Sequence, residues 1–512
     1  MIPLFFLNFF YLLRGVTFFY YLTPNAVLSE PYIYFLPISI FNLASIFYSL
    51  SIVFYALPYL DKETIFELTW PSYLESHQGE VEIGKVVKKG IKRNHFFLSL
   101  QDLEKHAFIC GATGTGKSNF VQNFLINFKK NYKIPFFLVE FKGEYHFLQR
   151  KIENTLILWP GDNFSINIFD PIHSDPLIHA ERIFDILKSG QFLDETSEFS
   201  PQMEKVLVEI LSEVCKSEEK RSWKGFNSCC AEYIKKKRNK IPMLAQTLIS
   251  IQNRIRRFSQ GPLKSLFEKR GSIRLDFLFQ HNIILDLSSI IRLGGEKEDA
   301  FFFLNMMLKY LWDRNLTHGA HEYKGIKHLT IIEDAQYFAP QDLQIKHKLT
   351  TSLEDIALLQ RGTGECLITL ATRPDISKEI LANNGMVLTF KSHIEKNIMC
   401  ELLNLPEEKK QYLSMLEKGI CIIRVNSLKE PFLLWTPHIK RENPGFAEIV
   451  DFNESLLKRQ NFESPAQKSS LQKKHDKEIS QIWDKIELEE SMERNKLETT
   501  IDELCDLRKK PT

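Results

Sequence analysis

Eight consecutive residues, Gly111-Ala112-Thr113-Gly114-Thr115-Gly116-Lys117-Ser118, carry the spacing G-x-x-x-x-G-K-[ST]. The chemistry this pattern can do is phosphate binding. Glycines at 111, 114 and 116 let the backbone turn tightly enough to aim several N–H groups at one set of oxygens. A helix that starts as the loop ends adds its dipole, which favours an anion. Lys117 can place a cation on the β- and γ-phosphates, and Ser118 can ligate Mg²⁺. The apolar run Ala107–Cys110 precedes the loop, and the helix-like run Asn119–Lys129 follows it. A loop between strand and helix is the context the pattern needs, so residues 111–119 are the candidate site for ATP with Mg²⁺.

Hydrolysis needs a second element, a strand ending in acids that hold the metal and polarise water. The run His328-Leu329-Thr330-Ile331-Ile332 ends in Glu333-Asp334. Glu333 is the expected Mg²⁺ carboxylate, directly or through water, and Asp334 the expected base or water-orienting group. The elements that must position these two halves are legible as apolar strand-like runs at 136–141, 155–159, 282–287, 328–332, 366–371, 386–390 and 419–425. Helical patterns alternate with them, for example at 298–313 and 349–360. Such alternation predicts an α/β fold with a mainly parallel sheet covered on both faces. Residues 81–100 alternate in strand fashion and predict a short β element within a linker region, 59–100. The stretch 177–270 carries helical patterns without a strand and reads as a helical subdomain inserted in the 101–440 region.

The 512-residue chain has room for two or three domains, and its net charge of +2 does not by itself announce a nucleic-acid partner. Eight scattered cysteines include no C-x-x-C pair, which argues against zinc and thioredoxin-type chemistry and fits a reducing compartment. The N-terminus differs from the rest. Residues 1–22 hold one charge, Arg14, and residues 32–58 hold none. Both are long enough to cross about 30 Å of hydrocarbon, although Arg14 would cost about 2.5 kcal/mol or more near the bilayer centre. Residues 1–58 are therefore expected to be two transmembrane helices, placing the protein in the cell (inner) membrane with the ATP site cytoplasmic. Residues 452–512 turn polar and mixed in charge, with a sparse apolar spacing, and predict a charged helical tail.

Several stretches, in order over about 81–437, resemble the HerA/FtsK superfamily of ring-forming P-loop translocases, closest to its HerA-like branch. They are Ile83–Val87, His106–Gly114, Leu138-Val139-Glu140-Phe141-Lys142-Gly143-Glu144-Tyr145, Asn167–Pro171, Leu359–Gly364 and Thr372–Ser377. The resemblance implies a RecA-like P-loop NTPase fold, a hexamer with ATP sites at subunit interfaces, and DNA in a central channel. It makes Arg361 the candidate arginine finger supplied across an interface, with Arg373 the competitor. The chain departs from the family pattern at three points. The usual Asp-Glu pair is Glu333-Asp334, the sensor glutamine is Thr372, and the Gly-Arg-Lys triplet is Gln360-Arg361-Gly362.

Local basic clusters could track a DNA backbone without sequence preference: Lys88-Lys89 with Lys92-Arg93, Lys235–Arg238, and Arg254 with Arg256-Arg257. Three functions fit. The first is a membrane-anchored translocase of double-stranded DNA. The second is a coupling ATPase of type IV secretion or conjugation, a family with the same two spans and inserted helical domain, working with secretion partner proteins. The HerA-like branch suggests a nuclease partner instead. The third is a membrane scaffold that binds nucleotide as a switch.

Overall fold

A computed structural model describes residues 68–172, 174–189, 199–260, 262–268, 278–317, 325–339 and 352–458, with the isolated positions 46–48, 50, 51, 66 and 341. The two expected N-terminal spans lie almost wholly outside the described residues, as does the expected tail beyond 458. No helix among the described residues is long and apolar enough to cross a membrane.

One eleven-stranded sheet organises the chain. Its strands are β1 (Val81–Lys88), β2 (Ile91–Leu98), β3 (Ala107–Cys110), β4 (Phe136–Glu140), β5 (Thr155–Leu158), β6 (Asn282–Asp286), β7 (His328–Ile332), β8 (Glu365–Ala371), β9 (Met386–Thr389), β10 (Ile420–Arg424) and β11 (Phe432–Trp435). They lie in the order β2-β1-β11-β10-β9-β3-β8-β7-β4-β6-β5. From β9 to β5 every pairing is parallel; from β9 to β2 every pairing is antiparallel. Each strand read from the apolar runs is present within a residue or two. The β element expected at 81–100 is a hairpin and belongs to the same sheet, because β1 pairs with β11 some 350 residues later. Such a partner leaves no local signal.

The parallel strands are buried on both faces, which is why they read as unbroken apolar runs rather than alternating ones. Alternate side chains still divide between two cores. Phe108, Cys110, Phe137 and Val139 face one; Ala107, Ile109, Phe136 and Leu138 face the other. The second core is covered by α1 (Lys117–Asn131), whose Phe120, Phe124 and Phe128 recur every four residues and so form one stripe.

The first core is covered by helices from the strand-free stretch: α2 (Pro176–Ser189), α3 (Pro201–Lys216), α4 (Trp223–Lys237) and α5 (Leu244–Ser259). Ser200 and Ser222 cap α3 and α4 by accepting from the N–H groups of Met203 and Gly225. These helices pack with α6 (Lys297–Thr317), and α7 (Ser352–Leu359) leads into β8. Seven of the eight cysteines are described, and all seven are buried and free.

Candidate nucleotide site

β3 and α1 fix the loop between them. Gly111 donates to the Ala371 carbonyl at 3.2 Å, and Ala112 donates to that of Lys391 at 2.8 Å, so the loop is held by the ends of β8 and β9. Gly111 has φ +148°, and a Cβ there would meet the Phe390 Cβ at 2.7 Å. Gly116, at φ +129°, is the N-cap of α1 and makes no side-chain cap bond. The first-turn N–H groups of α1 have no acceptor within the helix, so this end is open to an anion. Lys117 Nζ meanwhile donates to the carbonyls of Gly111 (2.7 Å) and Ala112 (3.2 Å). Burial, first of all, lowers its pKa, while Cys110, Asp334 and Glu333 oppose that shift.

The acids come from β7, which is separated from β3 by β8 alone. Glu333 is buried, and its Oε1 accepts from the Tyr145 hydroxyl at 2.6 Å. Burial raises its pKa; hydrogen bonds from Tyr145 and from the Ser118 hydroxyl pull it back. The structure thus brings together Ser118 and Glu333, the two residues expected at the metal. Among the described residues no group of three or more His, Cys, Asp or Glu side chains could hold a metal alone. Mg²⁺ commonly takes one or two protein oxygens and completes its shell with phosphate and water, and Ser118 and Glu333 would supply two such oxygens.

Asp334 follows in the left-handed region at φ +51°, and its Oδ2 takes the Lys142 ammonium at 3.0 Å. The Lys142 pKa is raised: burial lowers it, but the Asp334 hydrogen bond and charge outweigh that. Gln336 extends its amide to Asp334 Oδ1 (3.4 Å) and to Thr372 Oγ1 (3.3 Å). An amide therefore lies beside Thr372, where the family pattern carries a glutamine, although it comes from a different strand end.

The turn after β4 supports both acids. Glu140 is fully buried and accepts from the N–H groups of Glu144 (2.7 Å) and Tyr145 (3.3 Å). Burial, then the Asp286 and Glu333 charges, push its pKa well up. His146 Nε2 stands 3.2 Å from Asp286 Oδ2 and 3.7 Å from Glu140 Oε1. The acid-x-x-Gly-Glu-Tyr spacing pointed to this segment but not to the division of work within it. Lys142 faces Asp334, and Tyr145 faces Glu333.

Lys117, Ser118, Lys142, Glu333, Asp334 and Thr372 line a cleft of about 760 Å³. Its remaining wall is Lys418-Gly419 and a strap at 435–441, which sequence reasoning did not place at the site. Asn119 belongs to this wall's support. Its amide donates to the Pro437 carbonyl (2.7 Å), and its oxygen accepts from Ile439 N–H (3.0 Å). Arg441, on the same strap, stands 3.8 Å from Glu144.

The two candidate fingers sit apart. Arg373 is exposed in the turn after β8, at the strand ends that carry the cleft. Arg361 lies in the 3₁₀ turn Gln360–Thr363 before β8, so seven strand residues, roughly 20 Å, separate its backbone from that end of the sheet.

Residues 81–301 match the family model for the central domain of helicase HerA. A comparison with curated proteins gives no match. Among solved structures, VirB4 of Thermoanaerobacter pseudethanolicus is similar, with TM-score 0.53 and 14% identity over 71% of this chain and 97% of that one. The bacterial conjugative coupling protein TrwBΔN70, in an unbound monoclinic form, has TM-score 0.54 and 12% identity over 73% of this chain and 92% of that one. The plasmid coupling protein TrwB in complex with ADP and Mg²⁺ has TM-score 0.52 and 12% identity over 73% and 94%. At these identities the structural likeness establishes the fold, and the family match lies on the segment that contains the phosphate loop. Residues 81–301 are thus similar to the central domain of helicase HerA, and the described residues share the fold of VirB4 and TrwB.

Proposed function

We propose that the chain is a membrane-anchored ATPase that assembles as a ring, most simply a hexamer, and drives double-stranded DNA past the cytoplasmic face of the cell membrane. The observation that carries the ATPase reading is the convergence of the uncapped N-terminus of α1 with Ser118, Glu333 and Asp334 in one cleft. The similar fold of TrwB in complex with ADP and Mg²⁺ supports the choice of cofactors. Mg²⁺, when bound, neutralises charge on the β- and γ-phosphate oxygens. Loop N–H groups and Lys117 hold the phosphates, Ser118 and Glu333 hold the ion, and Asp334 orients the attacking water or takes its proton. Arg361 serves a neighbouring subunit's cleft. Anchoring rests on the apolar segments 1–22 and 32–58, and DNA as cargo rests on the family and the basic clusters at 235–238 and 254–257.

A second reading, a coupling ATPase that passes nucleoprotein or protein through a secretion or conjugation system, is favoured by the fold likeness to a conjugative coupling protein and VirB4 and by the helices at 176–259. The test common to both is nucleotide binding and turnover in Lys117→Ala. Loss of binding or turnover supports the site; full activity overturns it. Wild-type binding without turnover would instead favour a nucleotide switch.

A further inference from the structure

The basic cluster at 88–93 is not absorbed by the nucleotide site. It forms the tip of the β1–β2 hairpin, where Lys89 (φ +50°) and Gly90 (φ +72°) make a tight two-residue turn. Between Ile83 and Leu98 the sequence has five cations, Lys85, Lys88, Lys89, Lys92 and Arg93, and no acid. Lys89, Lys92 and Arg93 are exposed. Along the same hairpin runs the segment 70–77. Lys88 Nζ stands 3.9 Å from the centre of the Trp70 ring; further on, Tyr73 stacks on His77 at 4.1 Å and His77 meets Phe97 at 5.1 Å. A small helix, Tyr73–Ser76, is fixed there by a capping box between Ser72 and Glu75.

That helix leaves large apolar groups in the open. Trp70 is 44% exposed, Tyr73 63% and Leu74 79%. We propose that Trp70, Tyr73 and Leu74, together with the cationic hairpin tip, form a docking surface for an anionic lipid bilayer. The inference rests on the reading of the chain as membrane-anchored and adds to it a second, peripheral contact.

Two observations select lipid as the occupant. The first is chain length. Phe66 is already packed against the body of the protein, its ring 5.1 Å from that of Tyr412. Fewer than ten residues separate it from the end of the uncharged segment 32–58, at most roughly 30 Å when extended. The surface is therefore kept near the point where the chain would leave the hydrocarbon. The second is composition. Trp and Tyr settle at the headgroup level because one end of each ring is apolar and the other polar, and clustered Lys and Arg are drawn to anionic lipids. Lysines on an edge strand such as β2 also discourage strand pairing, and a DNA backbone would attract the same cations. Neither role calls for an exposed Trp, Tyr and Leu beside them.

The test uses the full chain reconstituted in vesicles of phosphatidylcholine carrying bromine-labelled acyl chains, with or without about a third phosphatidylglycerol. Tryptophan quenching is read for wild type, for Trp70→Phe and for the fourfold variant Lys88→Gln, Lys89→Gln, Lys92→Gln, Arg93→Gln. The expected result is quenching that Trp70→Phe removes, several-fold greater with phosphatidylglycerol and lost in the fourfold variant. Quenching that Trp70→Phe leaves unchanged overturns the proposal. So does a fourfold variant that keeps wild-type quenching, whether or not it loses DNA-stimulated turnover; that loss would assign the tip to DNA. Retention of the chain after an alkaline wash reports anchoring separately. If the chain washes off yet floats with phosphatidylglycerol vesicles and is quenched through Trp70, the anchoring reading fails and the surface stands.

Discussion

The Tyr145 hydroxyl donates to Oε1 of Glu333 at 2.6 Å, across 188 residues of sequence. Tyr145 is fully buried, and burial, then the Glu333 charge, raise its own pKa well above 10, so it stays a donor at every pH of interest. Its hydrogen bond is one of two that oppose the rise in the Glu333 pKa caused by burial. Tyr145→Phe removes that bond and keeps the ring. It should destabilise the chain by roughly 1–3 kcal/mol, as expected for a buried acceptor losing its partner. Because Glu333 must be ionised to hold Mg²⁺, the acid limb of the kcat profile should move to higher pH. An unmoved limb would deny Glu333 the metal role.

Asp334 is held by Lys142 at 3.0 Å, outside the loop Gly111–Ser118. Asp334→Asn should keep nucleotide binding and lower kcat by about 100-fold or more, the ordinary loss for a general base. Lys142→Ala should change kcat rather than nucleotide affinity. Equilibrium binding beside steady-state turnover separates the two. Loss of binding in Asp334→Asn with turnover per bound nucleotide intact would exchange the roles of the two acids.

The turn that carries Arg361 precedes β8 and the cleft lies past the other end of that strand, so in the proposed ring Arg361 would serve a neighbour's cleft. Arg361→Ala should lower turnover about 10³-fold or more. Mixed with Lys117→Ala subunits it should recover part of that turnover, since each variant supplies what the other lacks. Arg373→Ala should show no such rescue. Recovery with Arg373→Ala and none with Arg361→Ala would reverse the assignment.

These contacts show where the sequence was legible and where it was not. The phosphate loop, the seven strands and the acids at the end of β7 could be read because each is local, a motif or an apolar run with a boundary. Asn119 could not be read as a clip for Pro437 and Ile439, nor Lys142 as the partner of Asp334, because those partners lie 318, 320 and 192 residues away. β11 has no counterpart among the runs read from the sequence and is defined by its pairing with β1 and β10.

The helices against the first core contain a pH-sensitive group remote from the cleft. His179 is buried, its Nε2 2.8 Å from the Ile168 carbonyl and its Nδ1 2.6 Å from Lys309 Nζ. Burial first, then the Lys309 charge, lower its pKa from 6.5 to about 3. The unfolded chain therefore takes up this proton first. The group's contribution is complete above pH 6.5 and is lost as pH falls toward 3, about 2 kcal/mol by pH 5. His179→Gln, which can donate to Ile168 and accept from Lys309, should flatten the acid slope of stability. Thermal midpoints from pH 7 to 5 check this, and an unchanged slope would contradict it.

The most direct measurement is ATP turnover by the full chain with and without double-stranded DNA across a salt series, with Lys117→Ala as the blank. DNA should stimulate turnover, and the stimulation should fade as salt rises because the proposed contacts are to phosphate. Turnover indifferent to DNA at every salt concentration would contradict the DNA motor and point to protein cargo. Nucleotide binding without turnover would contradict the ATPase itself.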